Sequence, residues 1–177
     1  MSYSIVGCSP GRVYTPDELV KGVCPARGTR ARTHDGKEYI LCEVSGTQVT
    51  VSGSIGRIGT LAPAAGVSPF RFSMFTAGDE VVTKHGAVGA AIVSVTASAS
   101  MLIWVQIYGA CSLIASLSSL PYVQLRPSIT GTGTVDDGIT SLSTVIDGAW
   151  LTATSGLQDT ATAAWLNYPV MSRQSIA

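Results

Sequence analysis

The sequence predicts a mainly β protein: an antiparallel β-barrel or β-sandwich with a small N-terminal hairpin subdomain and at most one short helix. Three observations carry this. First, Leu102-Ile-Trp-Val-Gln-Ile-Tyr-Gly109 alternates with a period of two, setting Ile103, Val105 and Ile107 on one face and Trp104, Gln106 and Tyr108 on the other. Second, the stretch from Met101 to Pro169 is rich in Ser, Thr and Ala. It is punctuated by turn signals at Ser119-Leu120-Pro121, Gly131-Thr132-Gly133, Asp136-Asp137-Gly138, Asp147-Gly148 and Ser155-Gly156. Third, only one good helix start occurs, at Thr15-Pro16.

Taken in order, residues 1–14 read as an N-terminal arm with a strand at Tyr3 to Val6, broken by Ser9-Pro10-Gly11. Residues 15–72 form the hairpin-containing N-terminal region. Here Thr15 is the N-cap, Pro16 the first helical residue, Glu18 the capping-box partner and Gly22 the terminator of one or two turns of helix. Arg27 to Val44 is a hairpin with Asp35-Gly36 at its tip, a dipeptide suited to a type I′ turn. Gln48 to Ser52 is a further strand, and Gly53, Gly56 and Gly59 mark turns or bulges. They lack the Lys-Ser/Thr ending, or the strand-to-helix setting, of a phosphate loop. Leu61 to Phe72, with Pro63 and Pro69, is a loop long enough to reach a neighbouring subunit. Residues 73–170 are the barrel or sandwich region, opening with two strands around an Ala77-Gly78-Asp79 turn, and residues 171–177 are a C-terminal tail.

Composition narrows the function. The 177 residues carry a formal net charge of zero, and only 12% are charged. A balanced, charge-poor chain offers no electrostatic footprint for free nucleic acid, which needs clustered Lys and Arg to displace counterions, so no direct nucleic-acid partner is expected. Nine of eleven basic and seven of eleven acidic residues lie at or before His85. The charge-poor remainder predicts neutral surface covered by other chains, hence a homo-oligomer. The window Gly86 to Ile107 is apolar, but Ser94, Thr96, Ser98 and Ser100 recur every second residue. That pattern argues for strands over a membrane helix, and no membrane partner is expected. The N-terminus lacks the basic and apolar regions of a signal peptide.

Catalysis finds no constellation. His34 and His85 are the only histidines, each beside a turn, and no G-x-S-x-G elbow accompanies either, so the chain is read as non-enzymatic with no catalytic residues. Cys8, Cys24, Cys42 and Cys111 have no metal-ligand spacing and read as free, mostly buried thiols; no metal and no cofactor are expected. Asp136-Asp137 reads as a solvated turn, because a calcium loop of the EF-hand type needs a closing Glu. Trp104, Tyr108, Tyr122, Trp150 and Trp165 fall at strand spacings. They are expected to fill a sheet face or a subunit contact, with a sugar-stacking platform as the alternative.

Several short motifs together resemble small structural head proteins of tailed bacteriophages. They are Trp104-Val-Gln-Ile-Tyr-Gly109, Ser128-Ile-Thr-Gly-Thr-Gly-Thr-Val-Asp-Asp137, Ile146-Asp-Gly148, Leu166-Asn-Tyr-Pro169 and the hairpin Gly28-Thr-Arg-Ala-Arg-Thr-His-Asp-Gly-Lys-Glu-Tyr39. The likeness covers about the last seventy residues and this hairpin. It implies a capsid decoration or cement protein on the outer capsid surface of the virion, with the major capsid protein as partner. It also implies a homotrimer ahead of a dimer, because such proteins commonly sit on threefold positions. The alternative is a receptor-binding or adhesive β module on a tail or head fibre. The candidate capsid contacts are Arg27, Arg30, Arg32 and Arg173. The competing reading of the hairpin arginines is an edge that deters stray strand pairing and meets Glu38 and Glu43 across the hairpin.

Overall fold

A computed structural model describes residues 9–45, 56–61, 70–75, 86–91, 97–128, 133–137 and 144–173. In chain order the elements are β1 (Val13–Tyr14), α1 (Pro16–Val20), β2 (Arg30–Arg32), β3 (Glu38–Val44), β4 (Ile58–Thr60), β5 (Arg71–Met74), β6 (Gly86–Ala91), β7 (Leu102–Ala115), β8 (Arg126–Pro127), β9 (Val135–Asp136), β10 (Thr144–Leu151) and β11 (Thr160–Arg173). The protein is mainly β with one short helix, as its alternation predicts. The strands expected at Tyr3–Val6, Gln48–Ser52 and after the Ala77-Gly78-Asp79 turn, and most of the loop after Leu61, lie outside the described residues; the end of that expected loop is instead strand, since Arg71 and Phe72 belong to β5.

The predicted alternation becomes the axis of the fold. β7 is fourteen residues long, and its first half pairs with β3 while its second half pairs with β11. Ile103, Val105 and Ile107 point into one core, and Trp104 on the opposite face enters another. Gln106, also buried, is satisfied by its own strand: Nε2 donates to the carbonyls of Tyr108 (3.1 Å) and Ala110 (2.9 Å). Those bonds span Gly109, whose φ of +97° bends the strand. A buried amide bonded in this way costs little.

Strand pairings return on themselves. β3 pairs with β7, β7 with β6, β6 with β4, β4 with β5, and β5 with β3, a circuit of five strands. Its members contribute Ile40, Cys42, Phe72, Met74, Ala91, Ile103 and Val105 to one buried cluster, so the circuit is built around a shared core, a layout that fits a barrel or a sandwich. The circuit closes through a parallel pairing, Glu43 opposite Arg71 and Val44 opposite Phe72, and β7 meets β9 in parallel as well. The sheet is therefore mixed, though predominantly antiparallel. An all-antiparallel ring needs an even number of strands, so a ring of five requires one parallel seam.

A wing extends from the ring. β11 pairs with β7, β6 and β10, and inward residues Leu113, Ala149, Leu151, Ala164 and Leu166 join Ile58 and Val88 in a second core. A third, smaller cluster lies on the outer side of β3 and β7, where Tyr14, Cys24 and Tyr39 cover Trp104, with Leu19 of α1 packed against them. Trp104 is thus fully buried, and among the described residues its indole N–H has no partner.

Local signals hold with three differences. α1 has its capping box: the Glu18 N–H donates to Thr15 Oγ1, and the Thr15 N–H donates to Glu18 Oε2 at 2.8 Å. The helix ends in a paired C-cap, Gly22 N–H to the Leu19 carbonyl and Val23 N–H to that of Glu18. The hairpin tip is not type I′. Gly36 has φ +83° but Asp35 is not left-handed, and the Thr33 carbonyl accepts from the Gly36 N–H, which defines a longer loop with Gly36 as the bulge residue. Asp147-Gly148 is likewise a bulge within β10, where the register shifts between Asp147 and Ala149. A Cβ on Gly148 would lie 2.5 Å from the Asn167 carbonyl oxygen. The expected tail from residue 171 starts in a strand: β11 runs to Arg173, Met171 is buried, and Val170 pairs with both Asp147 and Ala87.

Candidate functional site

The hairpin arginines separate into three environments. Arg27 turns inward: with Arg71 it flanks Glu43, which is 4% exposed, the two guanidinium groups reaching its carboxylate oxygens at 2.5 and 3.1 Å. This is the cross-hairpin pairing that the spacing of Arg and Glu allows, and it makes Arg27 part of the frame. Arg32 is exposed and lies 3.7 Å from Glu38, its register partner across the hairpin. Arg30 is exposed on β2 and has no ion pair among the described residues. Arg173 ends β11, its backbone opposite Thr144.

Glu38 joins the hairpin to an aromatic stripe. The Tyr168 hydroxyl donates to Glu38 Oε2 at 2.7 Å, and its ring stacks on Tyr108 with centroids 5.2 Å apart. Tyr108 in turn meets Trp165 edge to face at 6.0 Å, and Trp165 lies directly opposite Trp150. The hydrogen bond to Glu38, then partial burial, raises the Tyr168 phenol above its ordinary pKa. Beside these rings the exposed residues of β7 and β11 include Ala110, Ala161, Ala163 and Asn167, all uncharged, with Lys37 and Glu38 of the hairpin at their border. Of the five aromatics singled out by spacing, Tyr108, Trp150 and Trp165 share this stripe. Trp104 is buried elsewhere, and Tyr122 lies on a loop.

Tyr168 is the residue that sequence reasoning missed. It holds φ +48°, uncommon for a bulky side chain, and is 46% exposed. The Asn-Tyr-Pro run was its only signal, since proline restricts the residue before it. Beside Tyr168 a half-enclosed cavity of about 190 Å³ opens between ring and wing, lined by Ile40, Leu61, Phe70, Ile107 and Pro169, with Arg30 as its one charged wall. A second depression of about 310 Å³ is an open, shallow groove beside β10, between Tyr122–Gln124 and Ile146–Trp150.

Beyond the C-terminal end of β7, the loops 116–124 and 152–159 are tied together by hydroxyls. Ser155 Oγ accepts from the Ser119 N–H at 2.8 Å and donates to the Ser116 carbonyl, and the Ser155 N–H donates to the Ser119 carbonyl. These fixed loops expose Leu117, Leu120, Tyr122 and Leu157. The acidic pair braces the same end: Asp136 pairs with Arg126 at 3.4 Å, and Asp137 accepts from the Leu120 N–H at 2.8 Å. Both carboxylates therefore bond other segments, a more structural role than a solvated turn.

His34 is exposed at the hairpin tip, and His85 and Cys8 lie outside the described residues. Cys24, Cys42 and Cys111 are free thiols, and burial pushes Cys42 and Cys111 up to about 12. Among the described residues no three His, Cys, Asp or Glu side chains cluster as metal ligands, and no helix is long and apolar enough to cross a membrane. Compared with known proteins, the chain matches no family model and no curated relative.

Proposed function

We propose that this chain is a structural protein of tailed-phage heads, a decoration or cement protein on the outer surface of the capsid that stabilises the shell against the pressure of packaged DNA. Its partner in this reading is the major capsid protein, and it acts as a homo-oligomer, a trimer ahead of a dimer. The motifs quoted above supply the resemblance. The carrying observation is the display of Leu117, Leu120, Tyr122 and Leu157 on two loops tied together by buried serine hydroxyls. Apolar side chains carried on loops whose backbones are already tied together add little backbone ordering cost on docking, so each contact can be modest while many copies sum over a lattice.

The test is a cryo-electron microscopy map of the particle that carries this chain. Density on the outer shell at capsid junctions, in copy number comparable to the major capsid protein, is the expected result. A second reading, a receptor-binding or adhesive module on a tail or head fibre, draws on the aromatic stripe from Trp150 to Tyr168. Density confined to a fibre or tail tip, in few copies, decides for that reading.

A further inference from the structure

We propose that the cavity beside Arg30 is a socket for one apolar side chain presented by an acidic segment of a partner protein. That the partner is the shell subunit rests on the reading above; the chemistry of the socket does not. Its size is the first argument. About 190 Å³ falls below the span that holds a drug-sized ligand and suits a single aliphatic side chain, and the walls Ile40, Leu61, Phe70 and Ile107 offer that side chain only apolar contact.

Charge is the second argument. Arg12, Arg27, Arg32, Arg71 and Arg126 each lie within 4 Å of a carboxylate of this chain, whereas Arg30, exposed at the cavity wall, has none that close among the described residues; Glu38 is held instead by Arg32 and the Tyr168 hydroxyl. A guanidinium with no ion pair among the described residues, at the mouth of an apolar socket, favours a carboxylate next to the inserted group. Rigidity is the third. Tyr168, with its left-handed backbone, is stacked on Tyr108 and hydrogen-bonded to Glu38, so this wall is anchored to β7 and β3 without a ligand. Val170, 45% exposed, adds an apolar rim.

The probe is a set of blocked tripeptides, acetyl-Glu-Leu-Glu-amide, acetyl-Glu-Ala-Glu-amide and acetyl-Lys-Leu-Lys-amide, titrated into the full chain labelled with nitrogen-15. The Glu-Leu-Glu peptide is expected to shift the amides of Arg30, Ala87 and Val170. The other two peptides should bind about tenfold more weakly or worse, the scale of losing a buried isobutyl group or reversing the charge. R30E should invert the preference between the Glu- and Lys-flanked leucine peptides. Ala87→Phe, at an exposed rim position, should abolish binding of both while leaving the rest of the amide spectrum in place.

Equal shifts from all three peptides, or none up to about 10 mM, would overturn the proposal, since a socket of this kind still gives weak millimolar binding. Hexanoate binding as tightly as the leucine peptide would also overturn it, by reassigning the cavity to small amphiphilic anions. Failure here leaves a chain seen on the capsid shell unaffected, and peptide binding does not place the chain there.

Discussion

On the ring side of β7, ion pairs tie up most of the charged side chains: Glu43 with both Arg27 and Arg71, Glu38 with Arg32, Asp35 with Lys37 and Glu18 with Arg12. On the wing side, hydroxyls do most of this work. Ser116 meets Ser128 at 3.0 Å, Ser155 clamps two loops, and Thr134 donates to Asp159 at 3.0 Å. Both regions solve the same problem, satisfying polar groups around an apolar core, with different chemistry. The ionic solution leaves a surface that selects partners by charge; the hydroxyl solution leaves a neutral surface that selects them by shape.

The sharpest way to break this comparison is to empty each core separately. Phe72 of the ring and Leu166 of the wing are both fully buried. Phe72→Ala should cost about 3–5 kcal/mol and Leu166→Ala about 2–5 kcal/mol. Because β7 belongs to both cores, each variant is expected to lower one common unfolding transition in calorimetry. Two separable transitions would show that ring and wing unfold independently.

Next comes the buried carboxylate. Glu43→Gln leaves two guanidinium groups facing each other without their counter-charge, and the midpoint of urea unfolding should fall by the equivalent of about 3 kcal/mol. Ser155→Ala is the matching change in the wing. It removes an acceptor from the Ser119 N–H and should cost about 1–2 kcal/mol, with little dependence on salt.

Smaller effects sharpen the contrast. Thr15→Ala removes the cap of α1 and should cost about 1 kcal/mol by the same measurement. The smallest effect is acid sensitivity at the hairpin tip. Asp35 is held at about 2 in the folded chain, against 3.8 without its partners, by the Thr33 hydroxyl and by Lys37. A depressed carboxylate stabilises the fold above its unfolded value, so this contribution is present above pH 4 and fades as pH falls toward 2. Thr33→Val should flatten the acid limb of a stability profile over that window.

The sequence disclosed the axis of this fold and concealed its closure. Alternation from Leu102 to Tyr108, the Thr15 cap and the Arg/Glu spacing of the hairpin are local, and each is present as read. The parallel seam between β3 and β5 joins residues 28 positions apart, from Glu43 to Arg71, and no local pattern encodes it. The bulge at Gly148 looked like a turn because a glycine after aspartate serves both. The candidate site shows the same division. Arg30 and Arg32 stood out as charges, and three aromatics stood out by strand spacing. That Arg30 has no ion pair among the described residues, and that Tyr168 of β11 walls a cavity beside it, depends on tertiary placement that no local pattern encodes.

The place of β7 in the chain has a consequence for synthesis. β3, β4, β5 and β6 leave the ribosome before β7, yet β7 pairs with β3 and β6 and runs through the ring they complete. At about 5–20 residues per second, the first hundred residues spend roughly 5–20 s as nascent chain before the strand that closes the ring can emerge. Through that interval Tyr39, Ile40, Leu41 and Cys42, buried when folded, have no β7 to cover them. Arg30, Arg32, Lys37 and Glu38 alternate with or flank these apolar residues on the same hairpin. Such charges act as gatekeepers against premature strand pairing between neighbouring chains on one message, a duty of the basic hairpin that ends when β7 arrives.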